Sequence, residues 1–385
     1  MSDLSVQNVG SVDSVNNLGL AACKTQLPVT AYFDAELYAK EQRLIFDAGP
    51  RYLGHTLAVP KDGDYYALPQ EGEGRALVRN PGGIDLISNV CRHRQAVMLK
   101  GRGQTGRNIV CPLHRWTYKT DGELVGAPHF DKDPCLHLQR FDRPQEWNGL
   151  LFERNGFDID RALAGVQLRD ALDFNGYVLD HVEQHVCDYN WKTFIEVYLE
   201  DYHVGPFHPG LGGIVTCDDL AWQFDAEFSV QTVGINEALR RPDGRGGSKV
   251  YERWRKALLD YRQGVPPERG AIWLTLYPTI MVEWYPHVLV VSALYPQGPQ
   301  KTLNVVEFYY PEDIAAFERE FIEAERAAYM ETCIEDDEIA LRMDAGRKAL
   351  MERGVSEVGP YQSPMEDGML HFHAWYRRKM GMPAD

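Results

Sequence analysis

Residues 190–208 read NWKTFIEVYLEDYHVGPFH. A helix through this stretch would place Glu196, Glu200 and His203 on one face, because they stand at positions i, i+4 and i+7. Gathering two carboxylates and an imidazole on one face is costly for a helix with only a structural role. The stretch therefore predicts a functional helix whose charge is compensated by a bound group.

His208 supplies a second imidazole to the same stretch. It follows His203 by five residues, which on a continuous helix would direct the two rings apart. Gly205-Pro206 lies between them and ends the helix, so the chain can fold back and the rings can converge. Two histidines with a distant carboxylate form the facial triad of mononuclear non-haem iron(II), which leaves coordination positions open for dioxygen. The stretch thus predicts a mononuclear iron site.

The composition is that of an ordinary globular protein. The chain has 385 residues, which suggests two domains or slightly more, and its 40 Lys and Arg against 56 Asp and Glu give a net charge of −16. It has no basic run, so nucleic acid and anionic membranes are poor partners. No apolar run approaches the ~20 residues of a membrane helix, and residues 1–28 lack a secretory pattern and are expected to form a flexible tail. These features predict a cytoplasmic protein.

Two short motifs combine cysteine with histidine. Cys91-Arg-His and Cys111-Pro-Leu-His each supply one thiolate and one imidazole, and 17 residues separate His93 from Cys111. Two cysteines on one iron and two histidines on the other define a Rieske [2Fe-2S] centre. A structural Cys2His2 zinc site is the alternative, but zinc sites more often pair two cysteines within one half. The odd total of seven cysteines also favours thiols and metal ligands over disulfide bonds.

The order of the predicted elements indicates an α+β fold in two domains. Residues 29–160 begin with a short helix, Ala31–Phe46, and continue as β-prone segments separated by turn signals, which is typical of a small all-β domain. Residues 161–385 contain helices, a glycine-rich and mobile loop at 240–249, and an antiparallel sheet. The strands predicted for this sheet are Tyr177–Val186, Ala226–Val233, Ala271–Glu283, His287–Leu294 and Thr302–Tyr310.

A long acidic helix is predicted from Pro311 to Arg353, where Pro-Glu-Asp provides a typical helix start. It contains Glu335-Asp336-Asp337-Glu338, and most carboxylates in such a run form a solvated helix face. One of these four side chains is available as the third iron ligand.

From about residue 30 onward, the chain resembles the catalytic α subunit of Rieske-type non-haem iron aromatic ring-hydroxylating oxygenases. The two-part Cys/His signature, followed later by Asn-Trp-Lys and a two-histidine motif, carries the resemblance. It implies a small Rieske domain and a larger helix-grip catalytic domain, an antiparallel sheet with helices. The residues that it implies as ligands are Cys91, His93, Cys111 and His114 for the cluster, and His203, His208 and Asp336 for the iron.

The third iron ligand follows from the family's register. In the family it lies eight residues before a position usually held by Gln, which is Asp344 here. This register selects Asp336, and Asp337 stays possible because the two aspartates are adjacent.

Two departures from the family bear on the substrate. Glu196-Val197 replaces a frequent Glu-Asn pair, and Glu200 replaces a common Asp. Glu200 and the closing segment from Glu366 to Trp375 look like the branch that hydroxylates quaternary ammonium compounds such as choline, betaine and carnitine. The resemblance implies a small organic substrate, first of all an aromatic compound, with monooxygenation or N-dealkylation of a quaternary ammonium compound as the alternative.

The resemblance also implies the mechanism and the partners. The cluster passes single electrons to the iron, which inserts one or both atoms of dioxygen into the substrate. The chain has no G-x-G-x-x-G motif for a dinucleotide, so electrons are expected from NAD(P)H through a separate reductase, with or without a ferredoxin. A homotrimer is expected, in which Glu200 reaches His93 or His114 of the next subunit. Asn190 and Tyr202 are further candidate catalytic residues.

Two interpretations from other classes stay open. A Rieske electron carrier without catalysis would not need the motif of His203 and His208, and would hold two irons per chain rather than three. A binding protein for an apolar ligand would bury these histidines as core residues. Aromatic residues on the predicted sheet can form either an apolar pocket or a cage for an ammonium group. The candidates are Trp273, Tyr277, Trp284, Tyr285 and Tyr295.

Overall fold

The computed structural model describes residues 25–130, 135–240 and 247–383. They divide into two compact units. One is Ala48–Arg161, and the other comprises the described residues up to Asp47 together with those from Ala162 onward. The tail predicted at 1–28 and the mobile loop predicted at 240–249 lie largely outside the described residues. Within the described ranges, no helix is both long enough and apolar enough to cross a membrane.

The N-terminal segment packs with the second unit, and not with the all-β domain to which its sequence position assigned it. Asp34 caps helix α1 (Ala35–Glu41), because its carboxylate accepts hydrogen bonds from two backbone amides of the first turn. Glu41 Oε1 accepts a hydrogen bond from Lys192 Nζ at 2.6 Å, and both side chains are at most 1% exposed. This buried pair ties the segment into the second unit. The two units of the structure divide near residue 47, whereas the sequence predicted a boundary at residue 29.

The unit Ala48–Arg161 consists of three small antiparallel sheets, in agreement with the all-β prediction. Its strands are β1 (Tyr52–His55), β2 (Asp64–Ala67), β3 (Arg75–Asn80), β4 (Gly83–Ser88), β5 (Arg102–Gln104), β6 (Asn108–Val110), β7 (Thr117–Lys119), β8 (Leu124–Gly126), β9 (Gln145–Trp147) and β10 (Leu150–Phe152). The strand orders are β1-β10-β9, β4-β3-β2-β5 and β6-β7-β8. The loop after β4 and the loop between β6 and β7 carry the two Cys/His motifs.

The second unit contains a seven-stranded antiparallel sheet. Its strands are β11 (Tyr177–Cys187), β12 (Val215–Phe224), β13 (Phe228–Ile235), β14 (Ala271–Leu276), β15 (Ile280–Tyr285), β16 (Val288–Gly298) and β17 (Lys301–Pro311). In space they follow the order β11-β17-β16-β15-β14-β13-β12. The fold is α+β, as the sequence predicted.

The sheet differs from the prediction in two places. The single strand predicted at Ala271–Glu283 is a hairpin, because the chain turns at Tyr277-Pro278-Thr279 and Pro278 has no N–H for a ladder hydrogen bond. The sequence does not predict β12 either, because Asp218 and Asp219 interrupt its apolar alternation at this edge of the sheet.

The longest of the helices described here is α8 (Arg319–Glu352), which lies in the second unit. The helices are α1, α2 (Ile159–Ala162), α3 (Trp191–Tyr198), α4 (Val204–Phe207), α5 (Glu237–Arg240), α6 (Lys249–Tyr261), α7 (Glu312–Phe317), α8 and α9 (Asp367–Met380). Helix α8 has 34 residues and packs against α3 and α6. The continuous helix predicted from Pro311 to Arg353 is broken at Glu318, where φ is −114° and ψ is 57°.

Candidate metal centres

The helix predicted for residues 190–208 is shorter than its sequence suggested. Helix α3 ends at Tyr198, and the backbone N–H of Asp201 donates to a carbonyl outside the helix at 3.0 Å. Glu196 therefore does not share a helical face with Glu200 and His203. The predicted stripe of three ionisable residues is not formed.

Glu196 is itself fully buried and belongs instead to a network of charged and polar groups. Its carboxylate accepts hydrogen bonds from Tyr32 Oη, from Arg347 Nη2 at 2.5 Å and from His373 Nε2 at 2.8 Å. Burial raises the pKa of this carboxyl, but Arg347 and His373 outweigh burial and lower the pKa to about 2. Glu196 is therefore ionised in the core, and Arg347 balances its negative charge there.

His203 and His208 flank the short helix α4, and this turn brings their rings together. The two Nε2 atoms lie 3.0 Å apart. Asp336, from α8, places Oδ1 2.8 Å from His208 Nε2 and 3.4 Å from His203 Nε2. One ligand atom from each residue lies within 4.8 Å of the other two. Two imidazoles and one carboxylate that converge in this way are the donors that suit non-haem iron(II).

A glutamate holds the other nitrogen of each imidazole. His203 Nδ1 donates to Glu200 Oε1 at 2.5 Å, and His208 Nδ1 donates to Glu335 Oε2 at 2.7 Å. Such outer partners fix the orientation of the ring and direct Nε2 to the metal. The sequence points to Glu200 but not to Glu335, whose only signal is its place beside Asp336 in the acidic run.

The charges around the two histidines favour a bound cation. Burial lowers the pKa of His203, but Asp336 and Glu200 outweigh burial and raise the pKa to about 10. Burial also lowers the pKa of His208, but Asp336 and Glu335 outweigh burial and raise this pKa above its usual value. A divalent metal ion supplies the positive charge that these carboxylates stabilise. The donor set and its electrostatics therefore both fit iron(II).

Asp337, the alternative third ligand, is engaged elsewhere. Its Oδ2 accepts from His185 Nε2 at 2.6 Å, and its Oδ1 accepts from Tyr189 Oη at 2.6 Å. Consecutive residues on a helix point ~100° apart, so Asp336 faces the two iron-site histidines while Asp337 faces β11 and the residues after it. The geometry favours Asp336 as the third ligand.

Asp336→Asn is expected to weaken mononuclear iron binding, whereas Asp337→Asn is expected to leave it nearly unchanged. Loss of the anionic ligand should cost more than the ~10–100-fold in affinity that is typical of losing an outer partner. Titration of metal-depleted protein with ferrous iron measures the affinity, and the visible spectrum reports whether the cluster is intact. Equal weakening in the two variants, or greater weakening in Asp337→Asn, would contradict the assignment.

The two Cys/His motifs of the all-β unit form matching loops. In each loop the cysteine N–H donates to the carbonyl five residues later, and the cysteine carbonyl accepts from the N–H four residues later. Gln95 and Arg115 occupy equivalent positions, with φ of 60° and 61°. The same backbone shape therefore presents Cys91 and Cys111 from two loops, as a cluster held between them requires.

The four side chains of these motifs separate into a buried thiol end and a more accessible imidazole end. Cys91 and Cys111 are each 1% exposed, and burial together with the Cys91 thiol raises the pKa of Cys111. The rings of His93 and His114 lie 4.6 Å apart. Nδ1 of His93 is buried without a hydrogen-bond partner in the part of the chain that the structure describes. A buried nitrogen of this kind is suited to a metal, and the donor set fits a Rieske [2Fe-2S] cluster.

A cavity extends from the iron-site residues along α8. The α8 residues in its wall recur every three or four positions, so one face of the helix lines the cavity. Trp273 and Tyr285, two of the five aromatic candidates, also line it, whereas Tyr277, Trp284 and Tyr295 do not. The lining residues of α8 are Glu325, Ala328, Tyr329, Thr332, Cys333, Asp336 and Ala340.

Besides the iron-site residues and Asp201, which accepts a hydrogen bond from Gln231, two carboxylates stand in the cavity wall. Glu283 is 1% exposed and Glu325 is 3% exposed. Burial raises the pKa of each to about 7. Glutamate is seldom fully buried unless it is paired. No sequence motif points to either residue. The available signal for Glu283 is that it interrupts the otherwise apolar and aromatic strand β15.

Asn190 and Tyr202, the remaining candidate catalytic residues, do not line the cavity. Asn190 caps α3, because its Oδ1 accepts from the N–H of Lys192 at 2.9 Å and its Nδ2 donates to the carbonyls of Tyr32 and Pro299. Tyr202 is 62% exposed. The structure places Asn190 at the cap of α3 and Tyr202 at an exposed position, and the catalytic roles of the two residues stay predictions.

Two protein families match the chain over the units that hold these centres. The Rieske [2Fe-2S] domain family matches residues 50–142, and the ring hydroxylating alpha subunit (catalytic domain) family matches residues 171–382. The second match alone covers more than half of the 385 residues.

Individual relatives are similar over nearly the whole chain. A putrescine 2-hydroxylase of Ralstonia nicotianae is 65% identical over 363 residues, which cover 94% of this chain and 98% of the relative. A putrescine 2-hydroxylase of Bordetella bronchiseptica is 62% identical over 376 residues, covering 94% and 86%. The fold is similar to that of a quaternary ammonium Rieske monooxygenase in complex with L-carnitine, with a TM-score of 0.71, 20% identity, and coverage of 94% and 97%.

Proposed function

Because this chain belongs to the family of Rieske non-haem iron oxygenase α subunits, we propose that it is the terminal hydroxylase of a short aliphatic diamine, putrescine or a close analogue. In the proposed reaction one C–H bond of the diamine becomes C–OH. One atom of dioxygen enters the product, and the other leaves as water with two electrons and two protons. The electrons come from NAD(P)H through a separate reductase.

The pair of buried carboxylates carries the proposal. Glu283 and Glu325 line the same cavity as His203, His208 and Asp336. An ionised carboxylate in an apolar wall is costly unless a cation pairs with it. A diamine supplies two ammonium groups on an apolar chain and so matches both the charge and the surface of the cavity. A neutral aromatic compound, the first expectation from the resemblance, would bring no positive charge to either carboxylate and leave each with its tyrosine hydrogen bonds alone.

The relatives support the same class of substrate. The two proteins that are 65% and 62% identical to this chain are named putrescine 2-hydroxylases. A quaternary ammonium compound is the second candidate, because Tyr285 and Tyr329 beside Glu283 could cage such a cation. A primary ammonium fits this carboxylate better, because it donates hydrogen bonds and a quaternary ammonium does not.

The two centres and the residues around them have separate roles in the proposed reaction. When bound, the cluster supplies single electrons and the iron supplies a site for dioxygen. Glu200 and Glu335 hold the imidazoles of His203 and His208 in place. The aromatic wall of the cavity excludes water from the reacting carbon and strengthens the pairing of a bound ammonium with the buried acids.

A substrate screen tests the proposal. The purified protein is mixed with a surrogate reductase, NADH and either putrescine, carnitine or benzoate, and oxygen uptake, NADH oxidation and product mass are measured. We expect hydroxyputrescine, with one O2 and one NADH consumed per product, at a kcat/KM at least ~100-fold above those of the other two compounds. Turnover of carnitine in preference would support the quaternary ammonium alternative, and turnover of benzoate would support an aromatic substrate.

A further inference from the structure

We propose that Glu283 binds the ammonium group of the diamine that lies farther from the reacting carbon, and that it thereby selects which carbon is hydroxylated. The inference rests on the proposed function and adds the residue that positions the substrate. It depends on the surroundings of Glu283 and on the spacing along α8 between its partner Tyr329 and Asp336.

Glu283 lies in the middle of β15, and two tyrosines fix its carboxylate. Its Oε2 accepts from Tyr285 Oη at 2.6 Å, and its Oε1 accepts from Tyr329 Oη at 2.9 Å. Trp273 Nε1 donates to Tyr285 Oη at 2.9 Å, so the tyrosine O–H is free to point at Glu283. A carboxylate has about four lone-pair sites, and two of those of Glu283 are available to an ammonium group.

Tyr198 connects this carboxylate with the iron site. It lines the cavity, and its hydroxyl is buried without a hydrogen-bond partner in the described ranges. Burial raises the pKa of Tyr198, and the charges of Glu283 and Asp336 raise it further, so the hydroxyl lies in the field of both acids. Buried polar groups are normally hydrogen-bonded, so this hydroxyl is suited to contact an amine between the two.

The spacing of Tyr329 and Asp336 along α8 sets how far a substrate bound at Glu283 extends toward the iron site. Tyr329, which contacts Glu283, precedes Asp336 by seven residues, or ~10 Å along a helix axis. A charge-assisted hydrogen bond of ~2.8 Å and three bonds of extended carbon chain cover about two thirds of this distance. The third carbon from the bound ammonium then lies about one third of this axial spacing short of Asp336, which would hold the metal. In a four-carbon diamine this is carbon 2 counted from the other end, the position in the names of the two relatives.

Glu325 is less suited to this role because it lies one helical turn beyond Tyr329. Its Oε2 accepts from Tyr310 Oη at 2.5 Å. An ammonium bound there would hold the chain ~6 Å farther from Asp336, which is too far to present the same carbon. Glu325 adds negative potential to the cavity, and its neutral variant separates this effect from direct binding.

The five-carbon diamine 1,5-diaminopentane tests whether the distance from the far ammonium determines which carbon is hydroxylated. If Glu283 sets the distance, the wild-type enzyme hydroxylates the central carbon, which is the third from the bound ammonium. A site that measured from the near ammonium would give the 2-hydroxy product instead. NMR of the product distinguishes the two, and a predominance of the 2-hydroxy product would overturn the proposal.

Isothermal titration of the oxidised holoprotein with putrescine tests the binding residue. Glu283→Gln should raise the Kd at least ~30-fold, since a buried, hydrogen-bonded charge pair loses one partner. Glu325→Gln should raise the Kd less than ~5-fold through the weaker potential alone. Glu323→Gln is the matched control on the same helix, because Glu323 is 51% exposed and pairs with surface arginines. Its Kd should equal that of the wild type.

The outcomes separate this inference from the function on which it rests. An unchanged Kd in Glu283→Gln, or a larger loss in Glu325→Gln, would overturn the role of Glu283 while putrescine hydroxylation by the wild type stands. Failure of the wild type to bind and hydroxylate putrescine would refute the proposed function itself. Cluster absorbance and iron content show whether each variant is intact, and the 1,5-diaminopentane product decides the question even if Glu283→Gln does not fold.

Discussion

His208→Ala is expected to abolish hydroxylation and to leave the visible spectrum of the Rieske cluster unchanged. His208 Nε2 lies 3.0 Å from His203 Nε2 and 2.8 Å from Asp336 Oδ1, so its loss removes one of the three converging donors. Turnover should fall at least ~1000-fold, because the site that binds and activates dioxygen is lost with the iron. Product formation and metal analysis, with one iron lost of three per chain, measure the effect.

Cys111→Ser is the matched variant for the other centre. Cys111 is 1% exposed and lies beside Cys91, so a serine hydroxyl would replace a buried thiolate of the cluster. This variant should lose the visible absorption that His208→Ala keeps. Retained hydroxylation in His208→Ala, or retained cluster absorption in Cys111→Ser, would refute the assignment of the two centres.

Glu200→Gln is expected to stop electron delivery to the iron while both centres remain occupied. We propose a homotrimer in which Glu200 of one chain reaches His93 or His114 of the partner subunit; a head-to-tail contact of this kind closes into a ring. Glu200 is 15% exposed while it holds His203 Nδ1, and His114 lies exposed on its own unit. A neutral amide cannot bridge two imidazoles as a carboxylate does, so turnover should fall at least ~100-fold.

Stopped-flow reoxidation of the reduced cluster in the presence of substrate and oxygen measures this transfer directly. Glu335→Gln is the control, because Glu335 holds His208 in the same way that Glu200 holds His203 and should affect turnover without stopping cluster reoxidation. Light scattering reports the assembly. Reoxidation at the wild-type rate in Glu200→Gln would rule out the bridge, and a monomeric wild type would remove its structural basis.

The ligand residues could be predicted because local sequence determines them. The Cys/His loops and the short helix Val204–Phe207 set the positions of the side chains that they carry or flank within a few residues. The prediction that Gly205-Pro206 ends a helix is wrong, because both residues lie inside this helix. Asp336 needed the register of the family, since sequence alone does not separate it from Asp337. The structure separates them by the helical rotation that turns Asp337 toward His185 and Tyr189.

The end of α3 and the cavity position of Glu283 could not be predicted, because they depend on contacts between segments that are distant in sequence. No glycine or proline marks the end of α3 at Tyr198, where Asp201 N–H instead donates to the carbonyl of Met365 at 3.0 Å. The carboxylate of Asp201 also accepts from Gln231 Nε2 at 2.5 Å, and burial raises its pKa to about 7. The cavity role of Glu283 likewise requires its pairing with Tyr329 of α8, 46 residues away in sequence. Periodicity within one segment carries no information about such partners.

The packing of the N-terminal segment determines how the two units can be recombined between relatives. Because residues up to Asp47 belong with the unit from Ala162 onward, the cluster unit is an insertion within the sequence of the other unit. A fragment that began at Ala162 would lack Glu41 and leave the buried Lys192 without its hydrogen-bonded partner, at a cost of ~3–5 kcal/mol. Exchanging the electron-carrying part therefore requires two splice junctions, near residues 48 and 161, so that a chimera inherits both ends of its substrate-oxidising part from a single parent.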